Sequence, residues 1–371
     1  MAWAFFAGCA RPTPTPMSAP AVPDVPAAPF RAAKPPPHLL LHDWHGESPV
    51  SSPTYIRRNF EYLDSLPFDG IVTYVRSADT TTNISASVLG TRALSFDDVA
   101  SCLEPLRDLR FANLTENFAA VLGGKPPDFM DDWSVPILNF AILAKAAREA
   151  GLRGIYLDNE GYHKPWGDHP RGVSHLKKSV AEYQEQARIR GRQVMEAMVE
   201  QFPDIVVVVL HGPYLSDRRA PAPLFPKWQH RNELVGPFFA GLVEGAGERG
   251  TVVDGGEMYH LRSDVEFRES YAWRKNALPV DNEFIPPGVR ERWSSRVRVA
   301  FGVYNRPYEG IEMNPEILAT TLGHALRRAD GYVWLYVEGP SFLRRPGQGG
   351  ASPEWIEAVR KARGSSTSVK H

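Results

Sequence analysis

Short apolar runs alternate with longer amphipathic stretches along this chain, and the alternation limits the possible folds. Eight runs predict strands, at 39–41, 70–75, 110–114, 154–157, 204–210, 251–254, 297–301 and 331–336. Apolar residues at three-to-four spacing between them predict helices at 54–65, 95–108, 133–150, 172–202, 228–247, 262–276, 314–329 and 353–363. The pattern favours an α/β fold, the (β/α)8 barrel. An open doubly wound sheet is the alternative, but no glycine-rich phosphate-binding fingerprint follows an early strand.

The two ends of the chain differ in composition from the region between them. Residues 11–37 are rich in Pro and Ala, which predicts an extended linker or tether. We therefore expect a catalytic barrel at 38–363 and a disordered tail at 364–371. Residues 1–10 resemble the end of a bacterial lipoprotein signal, shortened at its start. This resemblance implies a lipid anchor at Cys9 and export to the periplasm or the cell surface.

The overall charge is almost balanced. A formal net charge of −1 over 371 residues gives no electrostatic reason to expect nucleic acid as a partner. The aromatic content of 11% supplies rings for a core and for stacking against flat ligands such as sugars. We predict neither a cofactor nor a resident metal.

The apolar run at 154–157 leads directly into two acids. Alternation along a strand places Tyr156, Asp158 and Glu160 on one face. Burying two acids side by side is costly, and a reaction that needs an acid and a base is the usual reason to keep them together. The last run repeats the pattern, with Tyr336 and Glu338 on one face.

Catalytic groups of such barrels lie at the carboxyl ends of the strands. Those ends are polar and aromatic here, whereas the strand starts are not comparably polar. The catalytic candidates are Asp158, Glu160, Glu257 and Glu338. The candidates for substrate binding are His42, Asp43, Trp44, Tyr74, Glu116, Asn159, His211, Tyr259, Tyr304, Asn305, Arg306 and Tyr336.

The acids after the fourth strand resemble motifs of glycoside hydrolases. Asn159-Glu160 resembles the Asn-Glu of the large retaining clan A, where the Glu is the acid/base. Asp158-x-Glu160 resembles the end of the family 18 chitinase motif, where the Glu donates a proton and the Asp assists. The seventh strand of this chain lacks the clan A nucleophile, and the first Asp of the chitinase motif is absent. A third pattern, seen in α-glycosidase barrels, would pair Asp158 with Asp254 or Glu257.

The resemblance implies a glycoside hydrolase that cleaves a poly- or oligosaccharide. We expect Glu160 to be the general acid, with a pKa raised by repulsion from Asp158. Its partner would be Glu257 or Glu338, with Asp158 as the next choice. Glu160 and Glu338 should face each other across the barrel mouth. A carboxyl separation of about 6.5–9.5 Å would fit an inverting enzyme and about 5–5.5 Å a retaining one.

Two other functions fit parts of the sequence. His42, His45, His211 and His260 provide imidazole ligands for a metal-dependent hydrolase similar to amidohydrolase barrels. However, those enzymes carry His-x-His on the first strand, whereas this chain has His-x-x-His. The second alternative is a glycan-binding barrel without catalysis, which the missing acid on the seventh strand supports.

Overall fold

A computed structural model describes residues 36–44, 51–160, 167–168, 178–221, 224 and 232–367. The strands are β1 His38–Asp43, β2 Gly70–Thr73, β3 Phe118–Val121, β4 Gly154–Leu157, β5 Val206–Val209, β6 Thr251–Asp254, β7 Val297–Val299, β8 Phe301–Tyr304 and β9 Tyr332–Val337. The helices are α1 Pro53–Arg58, α2 Phe60–Asp64, α3 Phe96–Leu103, α4 Ser134–Glu149, α5 Val180–Gln201, α6 Val235–Gly245, α7 Asp264–Ala272, α8 Pro287–Arg296, α9 Pro315–Arg328 and α10 Pro353–Thr367.

All strand pairs are parallel, in the order β7-β6-β5-β4-β3-β2-β1-β9-β8. Only Ala300 separates β7, which pairs with β6, from β8, which pairs with β9. The Ala300 N–H donates to the Asp254 carbonyl oxygen at 2.8 Å. The two short strands therefore act as one bent strand that closes the ring, and the predicted (β/α)8 barrel is confirmed.

Side-chain alternation divides the core into two layers. Ile155 and Leu157 of β4 belong to the outer layer, between the strands and the helices. Tyr156 and Trp334 belong to the inner layer on the barrel axis, where their ring centroids lie 5.7 Å apart. The predicted faces of β4 and β9 are thus confirmed, and Asp158 and Glu160 follow the inward-facing register.

The third strand does not lie where the sequence predicts it. We predicted it at 110–114, but it lies at Phe118–Val121. The N–H groups of Ala112, Asn113 and Leu114 all donate to the Asp64 carboxylate, at 2.7–2.9 Å, so this segment is a loop. The true strand has the sequence Phe-Ala-Ala-Val, and alanine has a low strand propensity.

Two other differences concern helices. Helix α8 was not predicted, because its apolar contacts come mainly from Val289 and Trp293. Helix α10 continues through Thr367, so the predicted disorder from Gly364 is wrong for residues 364–367. Residues 1–35, which include Cys9, lie outside the described residues. No helix of the described ranges is long and apolar enough to cross a membrane.

Candidate active site

A cavity of about 770 Å³ opens at the carboxyl ends of the strands. Its wall contains Asp158 and three further predicted acids: Glu160 after β4, Glu257 after β6 and Glu338 after β9. Aromatic rings and small residues complete it. The lining residues are His42, Trp44, Tyr74, Ala86, Gly90, Leu122, Gly123, Gly124, Lys125, Asp158, Glu160, Leu210, Glu257, Tyr259, Tyr336 and Glu338.

Asp158 and Glu160 form one corner of the cavity. Asp158 is only 6% exposed, and its Oδ1 accepts the Glu160 N–H at 2.9 Å. Burial, and then repulsion from Glu160, raises the pKa of Asp158 to about 8. The repulsion expected between these two acids is therefore present, and it acts on the pKa of Asp158. At neutral pH this corner holds a proton on a buried carboxyl group.

His211 joins two of the acids. Its Nε2 lies 2.9 Å from Glu257 Oε2 and 3.4 Å from Glu160 Oε1, and its Nδ1 contacts the Tyr214 hydroxyl at 3.2 Å. Burial alone would lower the pKa of His211, but Tyr214 and the two carboxylates outweigh it and raise this pKa well above 6.5. The imidazole is thus a cation that lies between Glu160 and Glu257.

A glycine turn brings Glu257 back over the barrel axis. Gly256 has φ +63°, and a Cβ there would lie 2.4 Å from Arg274 Nη1. Arg274 extends from a π-helical turn, Trp273–Ala277, and binds the Asp254 carboxylate at 2.7 and 2.8 Å. Because both side chains are at most 1% exposed, Asp254 is a structural partner of Arg274. Of the two partners that the α-glycosidase pattern offered Asp158, Asp254 is thus engaged by Arg274, whereas Glu257 lines the cavity with Asp158.

Two asparagines connect neighbouring strand ends. The Asn159 amide donates to the His211 carbonyl at 2.9 Å and accepts the His211 N–H at 2.8 Å. The Asn305 amide makes the same pair of bonds to the main chain of Glu338, at 3.1 and 3.0 Å. Both side chains were expected to bind substrate, but the main chain uses both ends of each amide. They instead position His211 and Glu338.

Glu338 is held by two phenols. Tyr304 donates to Oε2 at 2.5 Å and Tyr336 to Oε1 at 3.1 Å. Tyr336 also stacks on Tyr259, with ring centroids 5.8 Å apart and an angle of 8° between the rings. Arg306, two residues beyond the end of β8, is exposed and lies outside the main cavity.

The first strand provides one inward and one outward residue. His42 lies in the cavity wall, and its Nε2 is 2.7 Å from the Tyr74 hydroxyl. Burial lowers the pKa of His42 to about 3, so it is neutral. Asp43 points to the opposite face, where Oδ2 accepts from Ser341 at 2.9 Å and from the Phe342 N–H at 2.8 Å. The prediction that Asp43 binds substrate is therefore wrong, because it holds the loop after β9.

Glu116 lies at the opposite end of the barrel. It precedes β3, and its carboxylate accepts from the hydroxyl of Tyr332, the first residue of β9, at 2.7 Å. Its expected place at the mouth followed from the misplaced third strand and is wrong. Lys125 follows the true β3 and lines the cavity instead. The sequence analysis missed it for the same reason.

The predicted histidine cluster does not form among the described residues. The only described group whose donor atoms lie close enough to hold a metal is Glu160, His211 and Glu257, within 4.8 Å of one another. His42 and His260 take no part in it. His45 and Trp166, a further candidate for sugar stacking, lie outside the described residues.

No protein-family model and no curated protein sequence matches this chain. Solved structures match at low identity. A domain of a thermostable chitinase from Pyrococcus furiosus has a TM-score of 0.47 at 10% identity, over 91% of this chain and 98% of that one. The β-mannanase of the blue mussel Mytilus edulis has 0.46 at 12%, over 90% and 93%. A 3-keto-D-glucoside 4-epimerase from E. coli has 0.41 at 11%, over 88% and 98%. Similarity of this degree says nothing about the reaction, which has to be read from the residues of this chain.

Proposed function

We propose that this protein is a glycoside hydrolase that retains the anomeric configuration, with Glu160 as acid/base and Glu257 as nucleophile. The observation that carries the proposal is the approach of these two carboxylates, whose oxygens lie within 4.8 Å of one another. Retaining enzymes place their carboxyl groups about 5–5.5 Å apart, whereas inverting enzymes leave about 6.5–9.5 Å for a water. The short separation favours the retaining mechanism.

The surrounding groups fit the two roles. A general acid needs a proton near neutral pH, and the crowding of Asp158, Glu160 and Glu257 disfavours the state in which all three are ionised. The His211 imidazolium lies 2.9 Å from Glu257 Oε2, so a cation holds the proposed nucleophile in place. Asp158 lines the cavity beside Glu160, and its pKa of about 8 means that it holds a proton at neutral pH.

The reaction would proceed in two displacements. Glu160 protonates the glycosidic oxygen while a Glu257 oxygen bonds to the anomeric carbon, and the bond to the leaving group breaks. Glu160 then removes a proton from a water, which attacks the anomeric carbon and releases Glu257. The rings of Trp44, Tyr74 and Tyr259 offer apolar faces for the sugar.

The test is digestion of a polysaccharide panel, followed by NMR of the first anomer released. We expect hydrolysis with retention, loss of activity in Glu160→Gln, and azide rescue of Glu257→Ala through a glycosyl azide. Products of inverted configuration would refute the assignment of Glu257. A Glu160→Gln variant with full activity would refute the assignment of Glu160. Ligand binding without turnover in the wild type would identify a glycan-binding barrel.

A second candidate function is metal-dependent hydrolysis. The convergence of Glu160, His211 and Glu257 favours it, since one imidazole and two carboxylates suit zinc and similar ions. Elemental analysis of the purified protein and activity after chelation separate the two candidates. The glycosidase should contain no stoichiometric metal and should keep its activity in chelator. A metal-dependent enzyme should lose activity and regain it when zinc is added.

A further inference from the structure

A second, smaller pocket lies beside the main cavity and shares one wall with it. Its volume is about 230 Å³, below the roughly 300–1,000 Å³ typical of sites for whole drug-sized ligands, so it suits a single ring. Glu338 lines both spaces. The lining residues are Asn305, Arg306, Pro307, Met313, Glu338, Pro340, Phe342, Ala351 and Trp355.

Arg306 is the cation of this pocket. Within the described parts of the chain, no carboxylate lies within ion-pair distance of its guanidinium. The nearby Glu338 does not require it, because Tyr304 and Tyr336 already donate to its two carboxylate oxygens. The guanidinium therefore keeps its planar set of donors available for a ligand, and this geometry suits a carboxylate or a sulfate.

Apolar side chains supply the rest of the pocket. Trp355, in the first turn of α10, is half-buried, while Phe342 is buried beneath the pocket and Met313 lies at its side. An indole ring beside a cation matches a sugar ring that carries an anionic group, since the ring packs on the indole and the anion meets the guanidinium.

A second unpaired cation lies across the mouth. Lys125 follows β3 and Arg306 follows β8, and these strands lie on opposite sides of the ring. Lys125 is exposed, and the described residues place no carboxylate within ion-pair distance of it. The acids of the active site follow β4, β6 and β9, which lie between β3 and β8 around the ring. This arrangement suits a chain with anionic groups on both sides of the bond that is cleaved.

We propose that the second pocket is a subsite for an acidic sugar residue, so that the substrate is an acidic polysaccharide bearing carboxylate or sulfate groups. The cleavage of that polysaccharide rests on the proposed function, whereas its binding does not. Arg306 binds the anion and Trp355 packs against the ring.

The test is calorimetric titration of Glu160→Gln with three oligosaccharides of equal length: oligogalacturonate, sulfated carrageenan oligosaccharide and neutral cello-oligosaccharide. We expect one acidic ligand to bind more tightly than the neutral one, with an affinity that falls as salt is added. The two acidic ligands distinguish carboxylate from sulfate. Adding Arg306→Gln should weaken acidic binding about tenfold or more and leave neutral binding unchanged. Arg292→Gln, on α8 and outside the lining of both pockets, is the matched control.

Two results would overturn the inference: equal binding of acidic and neutral ligands, or acidic binding that Arg306→Gln does not change. Trp355→Ala gives an independent check, because it should weaken the binding of acidic ligands even with Arg306 intact. Thermal melting of each variant verifies the fold. Hydrolysis without dependence on Arg306 would refute the subsite alone, whereas Arg306-dependent binding in a wild type without turnover would refute the hydrolase alone.

Discussion

Both ends of the barrel carry carboxylates, but the carboxylates at the two ends have different cationic partners. At the amino ends of the strands, Asp69 accepts two bonds from Arg363 at 2.7 and 2.8 Å, and Glu116 lies 3.6 Å from Arg153. At the carboxyl ends, Glu160 and Glu257 both contact the cation His211, at 3.4 and 2.9 Å. The strand starts were expected to be less polar than the mouth, but acids lie at both ends, and the difference lies in how each acid is paired.

Pairing separates structural acids from reactive ones more reliably than position does. Asp254 is at the mouth, yet the buried guanidinium of Arg274 donates to both of its carboxylate oxygens. Asp158, Glu160 and Glu257 face one another instead, so that the protonation of one depends on the others. Under the proposed function, acid/base catalysis uses a carboxyl group whose pKa lies near the working pH, and the raised pKa of Asp158 shows that this cluster shifts a carboxyl pKa in that direction.

The largest expected effect is on kcat, when an acid at the mouth is replaced in one variant and an acid at the opposite end of the barrel in another. Glu160→Gln should lower kcat by about 10²–10⁴, because a general acid contributes a factor of that size. Glu116→Gln, the matched change at the base, should leave kcat within about twofold of the wild type, since Glu116 does not reach the cavity. The measurement is reducing-sugar release from the active polysaccharide of the panel. Equal losses in the two variants would contradict the division between the ends.

The next largest effect is on the free energy of unfolding, when the buried Asp254–Arg274 ion pair at the mouth is broken. Arg274→Met leaves the buried Asp254 carboxylate without its cation, and the free energy of unfolding should fall by about 3–5 kcal/mol. Urea unfolding followed by circular dichroism measures it. The double variant Asp254→Leu, Arg274→Met should recover much of that loss, because no buried charge remains unpaired. If the double variant is no more stable than Arg274→Met, the pair does not act as described.

Asp158→Asn should raise the free energy of unfolding, whereas Arg274→Met lowers it. The folded pKa of about 8 exceeds the ordinary value of 3.8, so the folded protein holds a proton that the unfolded chain loses as pH rises. Wild-type stability should therefore fall by about 1.4 kcal/mol per pH unit between those two values. Asparagine removes this slope and keeps an acceptor for the Glu160 N–H.

The measurement is urea unfolding of both proteins at pH 5 and pH 8. The stability gain of Asp158→Asn over the wild type should be larger at pH 8. Activity provides a second readout: if the proton on Asp158 supports Glu160, wild-type activity falls above about pH 8, and this limb disappears in the variant. A gain that does not change with pH would show that Asp158 is ionised in the folded protein.

The sequence predicts the barrel because alternation and helical spacing are local properties of the chain. The inward face of β4 and β9, and hence the location of Asp158, Glu160 and Glu338, follows from the same period of two. β3 was missed because the loop before it carries Phe111 and Leu114, whereas β3 itself contains two alanines of low strand propensity. Only the structure shows that the Asp64 carboxylate takes three N–H groups of that loop.

The sequence does not predict which side chains from distant elements contact each other. Asn159 has the residue type of a substrate ligand, but both ends of its amide bind the main chain of His211, 52 residues away. Asp254 has the position of a catalytic acid, but Arg274 reaches it from a π-helical turn. A period in the sequence specifies the face on which a side chain lies. It does not specify which group from another element meets that side chain.

The smallest expected effect is the loss of the exposed pair at the base. Arg363 is 38% exposed and Asp69 18%, so solvent screens the attraction, and Arg363→Met should lower the free energy of unfolding by at most about 1 kcal/mol. Asp69 keeps a second role without the arginine, because its Oδ2 also accepts the Leu39 N–H at 2.6 Å. Urea unfolding at low and high salt measures the pair, and its contribution should shrink as salt is added. A loss as large as that of Arg274→Met would mean that exposure does not set the strength of these ion pairs, and that the base of the barrel depends on its charges as strongly as the mouth does.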